Sequence, residues 1–90
     1  MNIKIYGFEN QSTLNEIGYY FLGNDRIADA IIVFEYNTKL FPKSGNVFDS
    51  LGEAYYKEGN KEKALISYKK SLALDPTNMN AKKVIMDLEK

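Results

Sequence analysis

Apolar residues recur along this chain at three- and four-residue intervals, the spacing that places them on one face of an α-helix. Phe48, Leu51, Gly52, Tyr55 and Tyr56 form one such stripe, and Ala64, Leu65, Tyr68, Leu72 and Leu74 form the next. Gly59-Asn60 breaks the pattern between them: a glycine can take the left-handed geometry that ends a helix, and Asn60 can cap the helix that follows. Pro76 has no backbone donor and closes the second stripe. The same course runs earlier in the chain. Thr13 with Glu16 predicts a capping box, Leu14, Ile17, Gly18 and Phe21 a first stripe, and Gly23-Asn24-Asp25 a turn. Ile27, Ala30, Ile31, Phe34 and Leu40 then make a second stripe before Pro42. After Thr77-Asn78, Ala81, Ile85 and Leu88 predict a last helix beginning near Asn80. Five helices are expected. Residues 2–8 follow a different rule, with Ile3 and Ile5 alternating around Lys4 before Tyr6 and Phe8. That alternation predicts a short strand or extended arm, its apolar side covered by the first helix pair or by another molecule.

An offset of 34 residues lays the first two helices on the next two without a gap. It pairs Gly18 with Gly52, Phe21 with Tyr55, Ala30 with Ala64, Phe34 with Tyr68, and Pro42 with Pro76. The chain is a tandem repeat. The small residues predict close approach of the two helices in a unit, with Phe34 and Tyr68 filling the gap toward the neighbouring unit.

Composition narrows the chemistry. The 90 residues include no cysteine, histidine or tryptophan, and 12 basic residues balance 12 acidic ones. That leaves no disulfide, thiolate nucleophile or thiolate metal site, and no histidine-based triad or zincin helix. No cofactor or metal is expected. Zero net charge without a basic block argues against nucleic acid, whose binding is led by phosphate neutralisation. No apolar run reaches the ~18–20 residues of a membrane span, and the first residues lack the features of a signal peptide, so a cytoplasmic setting is favoured.

The motif Phe48-x2-Leu51-Gly52-x2-Tyr55, Ala64-x3-Tyr68, Pro76 resembles the tetratricopeptide repeat, whose pattern is Trp-x2-Leu-Gly-x2-Tyr, Ala-x3-Phe and Pro over 34 residues. Leu14-x2-Ile17-Gly18-x2-Phe21, Ala30-x3-Phe34 and Pro42 repeat it. Phe or Leu replaces the leading tryptophan, and Asn37 and Ser71 stand where a second alanine-like residue is usual. The resemblance implies an all-α right-handed solenoid with repeats at residues 11–44 and 45–78, a C-terminal capping helix at 79–90, and residues 1–10 outside the pattern. Leu14 to Gly23 and Asn46 to Tyr55 also look like the repeat extensions of some bacterial serine hydrolases and esterases, although no G-x-S-x-G elbow accompanies them.

In the resembled family, function lies in a concave groove lined by the first helix of each unit. By position, that face holds Ser12, Asn15, Tyr19 and Leu22, then Asn46, Asp49, Glu53 and Tyr56, then Asn80, Lys83 and Asp87. The same positions could equally form a solvated face. Tyr19, Leu22 and Tyr56 argue for binding, because they would expose apolar area in a concavity. Family members that grip the C-terminal carboxylate of chaperones do so with cations and asparagine. Asn15, Tyr19, Ser50, Asn80 and Val84 occupy those positions here, so that ligand is not expected. Asp49, Glu53 and Asp87 beside Lys83 imply a neutral or mildly basic peptide.

Three further signals have ordinary explanations. Ser67-x-x-Lys70 matches a β-lactamase-type motif, but it falls in mid-helix within a solvated stretch. Asn10-Gln11-Ser12 fits a glycosylation acceptor. Lys61, Lys63, Lys69 and Lys70, interleaved with Glu58 and Glu62, predict ion pairing on a helix surface. The expected function is protein–protein interaction without catalysis. The alternatives are an accessory or oligomerising extension of a larger hydrolase and, because two and a half units are few, a self-associating repeat.

Overall fold

A computed structural model describes residues 10–90, and the arm expected over residues 2–8 lies outside them. Five helices follow in order: α1 (Gln11–Gly23), α2 (Ile27–Leu40), α3 (Gly45–Glu58), α4 (Lys61–Leu74) and α5 (Met79–Leu88). Each packs chiefly on its neighbours in sequence, and α1 also touches α3. This is the layering of an all-α helical repeat.

Local signals set the helix boundaries. Gly59 ends α3 at φ 87°, in the left-handed region, and the Asn60 side chain accepts from the Lys63 amide at the start of α4. Asn78 caps α5 in the same way through the Ala81 amide. The start of α1 departs from the expected Thr13–Glu16 capping box. Asn10 is the cap, its carbonyl oxygen accepting from the amides of Ser12 and Thr13, so the helix begins at Gln11. The acceptor asparagine of the glycosylation pattern therefore holds a helix end.

Phe34, Ala30, Ala54, Ala64 and Ala81 are fully enclosed in a core completed by Leu51, Tyr55, Tyr68 and Ile85. The two glycines act inside their own units. A Cβ at Gly18 would overlap the Phe34 ring, and one at Gly52 would stand 2.9 Å from the Tyr68 ring. Phe34 and Tyr68 thus fill the space left by the glycine of the same helix pair, rather than the expected gap toward the next unit. Close approach explains the glycine, and the aromatic ring explains what approaches.

Asn37 and Ser71, the departures at the alanine-like position, serve as matching clamps. Asn37 donates to the Gln11 carbonyl at 3.2 Å, and Ser71 donates to the Gly45 carbonyl at 2.7 Å. Each pins the start of the first helix to the last turn of the second. A first-turn carbonyl lies too early in its helix to be left unpaired cheaply when the site is buried, and these side chains pair it. Asn37 uses only its donor, because its Oδ1 is buried without a partner.

Candidate functional site: the face of α1, α3 and α5

Positions 34 residues apart stand side by side on neighbouring first helices, and polar side chains at those positions join hands. The Tyr19 hydroxyl donates to Glu53 Oε1 at 3.0 Å, linking α1 to α3. One turn earlier, the Ser50 hydroxyl donates to Asn15 Oδ1 at 2.6 Å. Asp49 faces the other way. Its Oδ1 accepts from Asn78 at 3.2 Å and from Asn80 at 3.4 Å, tying α3 to the start of α5. A ladder of hydrogen bonds therefore crosses three helices along one face.

Core packing holds the ladder from beneath. The Tyr19 ring meets the Phe34 ring edge-on, with centroids 5.1 Å apart, so the phenol is positioned by the aromatic that Gly18 admits. Burial pushes the Tyr19 phenol up to about 12; the Ser50 hydroxyl offsets part of that, and the Glu53 carboxylate adds to it. Burial also raises the Tyr68 phenol, and the carboxylates of Asp49 and Glu53 raise it further. Tyr68 comes from α4, so its raised value reports that its hydroxyl end senses the carboxylates of this face. The face has negative character, and its acceptors are committed to neutral donors, which leaves the carboxylate charge available to a cation.

The structure brings Asn15, Tyr19, Asp49, Glu53 and Asn80 together in this way. Asn46, Tyr56 and Lys83 are exposed beside them without joining the ladder, Tyr56 with 53% of its surface free. Leu22 is the exception. It was expected to offer apolar area to a partner, but it is 5% exposed and belongs to the core cluster. The fourteen-residue α3 runs alongside α1 and covers Leu22, whereas the ten-residue α5 ends at Leu88, a turn short of the level of Tyr56. Matched positions on the two units thus have opposite exposure.

Sequence reasoning missed a second feature, on the other side of α3. A cleft of about 460 Å³ lies between α2, α3 and α4, with Phe48, Leu51, Tyr55 and Ile66 among its walls. Lys63 and Lys70 stand at its edge, but their expected pairing with Glu58 and Glu62 does not occur. Lys63 sits 5.5 Å from the Tyr55 ring centroid and Lys70 5.9 Å from that of Phe48. Ser67, expected to be solvated, is buried and lines the same cleft in mid-helix. The signal was present in the seven-residue spacing of the lysines around Ile66, which charge interleaving obscured.

No helix among the described residues is long and apolar enough to cross a membrane. The tetratricopeptide repeat family model matches residues 46–78, which span α3, α4 and the start of the turn to α5. The chain is also similar to Superkiller protein 3 of Schizosaccharomyces pombe, with 36% identity over 61 residues. Those residues are 68% of this chain and 4% of the relative, so the likeness is to a small part of a far longer protein. Helix order, glycine-seated aromatics and the family match converge: this chain is an all-α helical-repeat protein carrying a tetratricopeptide repeat at residues 46–78.

Proposed function

We propose that the α1–α3–α5 face binds a segment of a partner protein and performs no chemistry of its own. The observation that carries this reading is the ladder Asn15–Ser50, Tyr19–Glu53 and Asp49–Asn80, which fixes polar side chains from three helices in one plane beside exposed Tyr56. Side chains already ordered in the free protein lose less entropy when a partner arrives. Asp49 and Glu53 favour a neutral or mildly basic segment, and Tyr56 offers the broad amphipathic surface common at interface anchors. The repeat match supports a protein partner as the ligand class.

The reading as an accessory extension of a hydrolase draws no support from the matched proteins. Continuation of the stack by a second copy meets an obstacle at α5. Met86 stands 34 residues after Gly52, and its side chain is 63% exposed where a glycine would be needed to seat the aromatic of a following helix. This supports α5 as a cap.

Affinity capture with wild type and with Tyr56→Ala/Asn80→Ala tests the proposal, since both residues are exposed and their loss spares the core. The variant is expected to lose the principal partner while keeping its melting temperature. Identical partner lists from the two proteins would overturn the assignment of this face.

A further inference from the structure

The cleft on the opposite side of α3 carries charge of the other sign. Its floor is apolar, formed by Phe48, Leu51 and Ile66, and Ile66 is 63% exposed in the free protein. Its one carboxylate, Glu35, is engaged by the Tyr55 hydroxyl. Lys63 and Lys70 have no carboxylate within ion-pair distance among the described residues, unlike Lys69, which pairs with Glu89 at 2.8 Å. They lie seven residues apart on α4, so they share a face and are separated by ~10 Å along the helix axis. Ile66 falls between them.

We propose that this cleft is a second binding site, for an acidic amphipathic helix of a partner protein. In that helix, carboxylates two turns apart meet Lys63 and Lys70, and apolar side chains between them rest on Phe48, Leu51 and Ile66. The spacing selects a helix over a strand. Same-side residues of an extended chain recur at ~7 and ~13 Å, neither of which fits, whereas positions i and i+7 of a helix repeat the ~10 Å of the lysine pair. Apolar residues at i+3 and i+4 then point at the cleft from the same face as the two carboxylates. The partner gains charge pairing with ammonium groups already poised over aromatic rings, and it covers an isoleucine that water now touches. The ladder face presents Asp49 and Glu53 and repels the same ligand, so the two sides of α3 select partners of opposite charge.

The test is a fluorescence titration of the full chain with a stapled helical peptide carrying Glu at i and i+7 and Leu at i+3 and i+4. Saturable binding that weakens with salt is expected, and Lys63→Glu/Lys70→Glu should reduce affinity by about tenfold or more. A peptide with Lys at i and i+7 should bind that variant and not the wild type, a rescue that loss of folding could not produce. Tyr56→Ala, which impairs the ladder face, should leave the titration unchanged, so failure of either site is distinguishable from failure of the other. Equal binding of both peptides to wild type would overturn the proposal. So would binding to phosphatidylserine vesicles without binding to the peptide, or self-association through the cleft that the peptide cannot displace.

Discussion

The α1–α2 and α3–α4 pairs share a 34-residue register but differ at matched positions, most visibly at the turn between their helices. Gly59 takes the left-handed conformation in the second pair, and Asp25 takes it in the first, at φ 61°. A side chain is strained there, where glycine is not. The next position tells the same story. Asn60 caps α4 through the Lys63 amide, whereas Arg26 gives α2 no side-chain cap; its guanidinium lies 5.0 Å from the Phe21 ring centroid and pairs with Asp29 at 2.8 Å. The aromatics differ as well, since Tyr55 and Tyr68 of the second pair match Phe21 and Phe34 of the first. The family match falls on the pair with the glycine–asparagine turn. The first pair keeps the packing rule while replacing ideal turn chemistry with surface contacts.

The largest expected effect concerns the packing that both pairs share. Phe34→Ala empties a site with no solvent exposure and should cost about 3–5 kcal/mol in a denaturant melt. Tyr19 would also lose the ring that seats it, so its hydroxyl bond to Glu53 should weaken. Next are the glycines. Gly18→Ala should destabilise by ~1–3 kcal/mol, and Gly52→Ala by less, because the added methyl overlaps Phe34 but only crowds Tyr68 at 2.9 Å. Equal losses would mean that the two pairs pack alike. Ser71→Ala should cost ~1–2 kcal/mol by leaving the Gly45 carbonyl without its buried donor. Smaller still, Asp25→Gly/Arg26→Asn transplants the second turn into the first and should raise stability by about 1 kcal/mol. A loss would show that the Arg26 contacts outweigh the strain and the missing cap.

Alkaline pH separates the pairs without mutation. Tyr55 and Tyr68 have phenols raised above the ordinary 10.0, chiefly by burial, with Glu35 adding to the first and Asp49 and Glu53 to the second. Above pH 10 the unfolded chain releases these protons before the folded one does. Stability is therefore complete below about 10 and falls as pH rises beyond it. Tyr68→Phe should flatten that fall in thermal melts at pH 9, 10 and 11, and an unchanged slope would refute burial as the cause.

Much of the fold was legible because periodicity and punctuation agreed. The stripes through Leu51 and Tyr68, the Gly59 terminator and the Asn60 cap all describe interactions within a few residues, and the structure has each of them. Two errors came from reading local patterns without their surroundings. Thr13–Glu16 satisfied the capping-box rule, but Asn10 reached the same amides first. Leu22 held a position on the outward face of α1, yet α3 runs past it, a consequence of neighbour length that no single-helix pattern encodes. The ladder residues Asn15, Tyr19, Asp49, Glu53 and Asn80 were found by position alone. Their mutual bonds depend on the lateral distance between α1, α3 and α5, which sequence does not express. The cleft lysines were misread for a related reason: ion pairing with Glu58 and Glu62 is a local expectation, while the rings of Tyr55 and Phe48 arrive from another helix.

Site-specific photo-crosslinking from position 56, beside the ladder, and from position 24, in the α1–α2 turn, tests the binding face most directly. A protein adduct should form from position 56, be competed by unlabelled wild type, and be absent from position 24. Adducts from position 24 with none from position 56 would contradict the assignment of the α1–α3–α5 face.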